Sequence, residues 1–91
     1  EWWNDEGLKA LSARVVRAVP DDPLAIEMRA RVLSGLCAGW EAGARSAAEL
    51  MEAATHFERA AALHSAPAMK ADLTCNAAVC RSEAEAMYGA M

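Results

Sequence analysis

The sequence predicts an all-α protein, four antiparallel helices arranged as a small helical bundle. Three observations predict it. Apolar residues return at three- and four-residue steps, prolines fall at the breaks between these runs, and hydrophobic residues make up 55% of the chain while aromatics make up only 5%. Alanine is the commonest of the hydrophobic residues. It is the best helix former, costs no rotamer entropy and lets helices approach closely. Strand-favouring residues are scarce, and 91 residues suit a single helical domain with a thin core.

The first helix is expected over about 5–19. Leu8, Leu11, Val15 and Val19 form its apolar stripe, Asn4 or Asp5 caps it, and Asp5 pairs with Lys9 one turn on. It stops by Val19, because Pro20 disfavours helical geometry in the residue before it. Asp22 followed by Pro23 starts the second helix, over about 23–37: the carboxylate accepts from free amides, and Pro23 has no amide to leave unpaired. Ile26, Ala30, Leu33 and Cys37 form its buried side, Glu27 and Arg31 pair outside it, and Gly35 weakens its end.

The stretch "AGWEAGAR", 38–45, has two glycines and no period, and reads as a loop that holds Trp40 against the body. Ser46 and Glu49 have the capping-box spacing and open a third helix over about 46–64, with Leu50, Ala54, Phe57 and Ala61 buried. Pro67 opens the fourth, over about 67–88, on whose stripe lie Leu73, Ala77, Cys80, Ala84 and Met87.

Charge and composition exclude several functions. The net charge is −4 and the basic residues never cluster, which argues against nucleic acid as a partner. No charge-free apolar run approaches the ~18 residues that span a bilayer. Three cysteines, Cys37, Cys75 and Cys80, make an odd count with no disulfide spacing, which favours a reducing intracellular compartment, cytoplasm or organelle interior. The opening at Glu1, without an initiator methionine, is what a processed protein or a piece of a longer one would show.

His56, His64, Cys75 and Cys80 are the metal-ligand types, but their spacing spreads them around the helices. No metal, no cofactor and no catalytic residue is expected: the cysteines read as small buried thiols and the histidines as surface residues. The chain has no Cys-x-x-Cys, no positioned Cys-His pair and no Gly-Lys-Ser/Thr loop, so it reads as no enzyme. Asp21, Asp22, Glu49, Glu52 and Glu58 are accounted for by caps and exposed helix faces.

The tryptophans carry the candidate binding site: Trp2, Trp3 and Trp40. Trp2 and Trp3 are adjacent and point in different directions. They read either as a plug over the helix ends or as an anchor for a partner, tryptophan being enriched among interface hot spots.

The stretch "AATHFERAAAL", 53–63, resembles the second helix of a tetratricopeptide repeat, a small residue lying four before an aromatic and another three after it. "RAVPDDPLAIEMRARVLSG", 17–35, resembles the proline junction into the next first helix, and "KADLTCNAAVC", 70–80, a first helix with its Asn-Ala pair. Neither first helix has the family's Trp, Leu-Gly and Tyr. The interval from Pro20 to Pro67 exceeds the roughly 34 residues of a repeat, which an inserted loop at 37–45 reconciles.

The resemblance implies that the four helices are a TPR-like α-solenoid fragment, and a non-enzymatic scaffold that binds a protein partner or neighbouring subunits. The alternative is a small structural or linker subunit held permanently in a larger complex, followed by a small metal- or thiol-dependent protein. Self-association is a further expectation, because open ends of a repeat array are sticky without polar caps.

Overall fold

Four helices follow one another in the computed structural model, which describes residues 5–35 and 45–89: α1, Asp5–Ala18; α2, Pro23–Ser34; α3, Ala47–Leu63; and α4, Pro67–Gly89. The described residues include no strand. The protein is an all-α, small helical bundle.

Each boundary has a local cause. Asp22 sits in extended geometry and accepts from the Leu24 amide at 3.1 Å, with Pro23 as the first helical residue. At the other end of α2, Gly35 takes the left-handed conformation, φ 71°, and its amide donates to the Arg31 carbonyl. A β-carbon is disfavoured there, and the helix therefore stops at Ser34, short of residue 37, the expected end. Cys37 lies outside the described residues.

Ser46 and Glu49 form the reciprocal capping box: the Glu49 amide donates to Ser46 Oγ at 3.1 Å and the Ser46 amide to Glu49 Oε1 at 3.0 Å. Such a cap contributes about 1 kcal/mol. His64 closes α3 with its amide on the Ala60 carbonyl, and α4 begins at Pro67 after a three-residue corner.

The helices pack in chain order, α1 on α2, α2 on α3 and α3 on α4. Side-chain contacts fix their directions. Ser12 of α1 meets Arg29 of α2. Asp21 before α2, Arg29 within it and Val32 near its end meet Arg59, Glu52 and Arg45 in turn. Numbers rise on one side as they fall on the other, so α1–α2 and α2–α3 are antiparallel. α1 and α4 are not among the principal contacts of one another, so that among the described residues they form the two edges of the array.

The core lies where α2, α3 and α4 meet. Ile26, Ala30 and Leu33 come from α2, Ala53, Ala54, Phe57, Ala60 and Ala61 from α3, and Leu73, Ala77 and Cys80 from α4. Among the described residues Phe57 is the largest wholly buried side chain, and burial of such a residue contributes about 1.5–3 kcal/mol. The alanines surround it with small surfaces, so that one aromatic ring fills a space bounded by three helices.

Three apolar assignments are corrected. Val19 is 43% exposed and lies past the end of α1, its place taken by Ser12, the only residue of α1 that is fully buried. Leu8, Leu11 and Val15 are half-buried: Leu8 and Val15 share the inward side of α1 with Ser12, but α1 is an edge helix that packs chiefly on α2, which covers its stripe only in part. Met87 is 39% exposed: it belongs to the last turns of α4, beyond Ala84, where the core ends.

Candidate functional site

The described surface offers three constellations: a polar seam, a buried pair and the outer face of α4. The seam joins α1, α2 and α3. Arg45, whose side chain is only 6% exposed, donates to both Asp5 carboxylate oxygens, at 2.6 and 2.7 Å, and to the Val32 carbonyl at 2.8 Å. The carbonyl stands near the C-terminal end of α2, where helical carbonyls lack internal partners and attract cations. One guanidinium thereby ties the start of α1 to the end of α2 and to the entry of α3.

Further along the seam, Lys9 bridges Glu49 at 2.6 Å and Asp5 at 3.8 Å. Arg29 donates to the Lys9 carbonyl at 2.8 Å, to Ser12 Oγ at 3.1 Å and to Glu52 at 3.3 Å. Ser12 Oγ in turn donates to the Lys9 carbonyl at 3.0 Å, which satisfies the hydroxyl in its buried position. Hydrogen bonding to Glu49 holds the Lys9 ammonium above its ordinary range, and Lys9, followed by the Ser46 amide, holds Glu49 below the usual carboxylate range. Each charge in this seam faces an opposite one. It fastens α1, α2 and α3 to one another.

The second constellation is Glu27 with His64. Glu27 Oε2 accepts from Arg31 at 3.0 Å, while Oε1 lies 3.5 Å from His64 Nε2. Both of these atoms are screened from water and form no hydrogen bond. His64 is thus not the surface residue the sequence suggests, because its position at the corner between α3 and α4 folds the ring towards α2. His56 keeps a neighbour on its own helix, Glu52 at 3.2 Å.

The cysteines divide. Cys80 is buried in the core, and burial, reinforced by Glu83, pushes its thiol up. Cys75 is exposed, which corrects the expectation of a buried thiol: at five residues' separation the two point to different sides of α4. Among the described residues no group of three or more His, Cys, Asp or Glu side chains converges as a metal site would require.

The third constellation is α4 itself. It spans 23 residues yet fully buries only Leu73, Ala77, Cys80 and Ala84, all on one stripe. The opposite side carries Ala71, Cys75, Ala78, Val79, Ser82 and Ala86, all exposed and none charged. A solvated helix ordinarily places charges there. Among the described residues no helix is long and apolar enough to cross a membrane.

Trp2, Trp3 and Trp40, the binding residues expected from sequence, lie outside the described residues. Sequence reasoning missed the roles of Arg45 and Arg29, whose partners are distant in the chain. It also missed the α4 face, although the signal was there: two apolar stripes on one helix, of which a single neighbour covers one. No model of a known protein family matches the chain, and neither a curated protein nor a solved structure does.

Proposed function

We propose that the protein is a non-enzymatic interaction module, a short scaffold of the tetratricopeptide-repeat kind, which receives another protein on the uncovered outer face of α4. One observation carries this reading: the solvent side of α4 is an uncharged strip of small and apolar residues, continuous from Ala71 to Ala86. Small side chains let a second helix approach closely, and its apolar face would dock as helices dock in grooves. The polar seam supports the same reading, since its charged groups fasten α1, α2 and α3 to one another and leave the outer face of α4 out of the fastening. Trp2, Trp3 and Trp40 enter the proposal as additional contacts, on the strength of tryptophan's weight in interfaces.

Affinity capture from extract of the protein's own cells, with the wild type beside Val79→Glu, tests the reading. A partner retained by the wild type at fixed stoichiometry and lost by the variant is the expected result. Equal retention by both proteins would remove α4 as the docking face.

A further inference from the structure

The two edges of the array carry opposite charge. On α4, Asp72, Glu83 and Glu85 are exposed beside the small-residue strip and make no ion pair. On α1, Arg14 and Arg17 are exposed and are likewise without an ion pair, among the small residues Gly7, Ala10 and Ala18 of its outer side, where the one acid, Glu6, is paired with Lys9 of its own helix. Elsewhere on the described surface Arg29, Arg31, Arg45, Arg59 and Arg81 all face carboxylates. Among the described residues, arginines without an ion pair are thus confined to one edge helix; on the other, three acids without an ion pair flank the strip against one such base, Lys70 in its first turn, so that α1 holds three basic and two acidic residues and α4 two basic and three acidic.

We propose that copies of this chain associate head to tail, the outer face of α4 in one copy seating the outer face of α1 in the next. This deepens the docking reading given above, on which it rests, by naming a second copy as the occupant. Packing of helix on helix is the interaction that already builds the array from α1 to α4, and the contact would extend it by one more layer. Arg14 and Arg17 would reach the acids that rim the strip, and small residues on both sides permit the close approach. Such a contact is heterologous: a chain of copies always keeps one free α1 at one end and one free α4 at the other, so growth continues unless the rotation closes a ring.

Sedimentation of the purified protein over a range of concentrations gives the test. The wild type is expected to form a series of species beyond the dimer, weakened by about tenfold or more when salt screens the charges. Arg14→Glu with Arg17→Glu, and separately Asp72→Lys with Glu83→Lys, each abolish the series while leaving the helical circular dichroism and the melt unchanged. Mixed together, the two variants recover a contact between complementary faces, the intact α1 of one with the intact α4 of the other.

A wild type that stays monomeric at all concentrations overturns the proposal. So does a closed dimer indifferent to Arg14 and Arg17, which would mean that like faces meet. A monomeric wild type that still captures a partner through Val79 removes only the second copy as occupant. One that neither self-associates nor captures a partner removes the docking reading as well.

Discussion

Arg45 and Asp5 form a two-pronged ion pair across 40 residues of chain, with both oxygens of the carboxylate engaged and the guanidinium almost wholly enclosed. The third arm, on the Val32 carbonyl, makes this pair the point at which three helices are tied. Two parallel hydrogen bonds fix orientation as well as distance, which a lysine at this position could not do.

Arg45→Ala is therefore expected to cost about 3–5 kcal/mol, because a part-buried carboxylate and a helix-end carbonyl lose their shared donor. Arg45→Lys should recover only part of it. Urea denaturation of the two variants measures both effects. Asp5→Asn alone would cost less, since the amide oxygen still accepts from Arg45. A loss within about 0.5 kcal/mol for Arg45→Ala would show that the seam contributes nothing to the fold.

Stability should fall on the acid side. Glu49 is held below its usual value of 4.5 by hydrogen bonds from Lys9 and from Ser46, and Glu58 is lowered by Arg81, which donates from Nε at 3.1 Å and from Nη2. A carboxylate depressed in the folded state stabilises fully above its unfolded pKa, and the benefit is lost as pH falls through the folded value. The loss thus begins near pH 4.5 and proceeds below it. Glu49→Gln is expected to cost about 0.5–1 kcal/mol at neutral pH, since glutamine still serves the cap, and to flatten the acid limb. Urea midpoints collected from pH 3 to 7 report the slope; an unchanged limb in Glu49→Gln would mean that Lys9 and Glu49 do not stay together in solution.

The helices were legible in the sequence because their signals are local. Proline at the start, a capping residue before it and glycine at the end act within one turn, so Asp22, Pro23, Gly35 and the Ser46–Glu49 box could be read directly. The stripe of α3 was legible for the same reason: it lies between α2 and α4, and its period survives in full as Leu50, Ala54, Phe57 and Ala61. Edge helices carry less information. α1 has an apolar stripe, yet it is only half-buried, because Asp5, Lys9 and Ser12 share its inward side and pair there with Arg45, Glu49 and Arg29. Periodicity shows which residues share a face, and only tertiary contacts decide which face is covered. In α4 the same ambiguity hid the uncovered strip, since its buried and exposed stripes are both largely uncharged.

Neighbouring alanines of α4 give the sharpest check on that assignment. Ala77 is 1% exposed and belongs to the core with Phe57, whereas Ala78, one residue and about 100° further round the helix, is exposed. Leucine at Ala77 has no room to enter: interiors are close-packed, and extra methylenes force neighbours off their rotamers, at about 1–3 kcal/mol. Ala77→Leu should lower the thermal midpoint accordingly. Ala78→Leu enlarges a side chain that meets only solvent and keeps a good helix former, so its effect on the dilute monomer should stay within about 0.5 kcal/mol. Melting curves of the two variants at low concentration make the comparison. Equal losses at both positions would mean that α4 is covered on both sides, and the reverse order would mean that it presents its other stripe to α3.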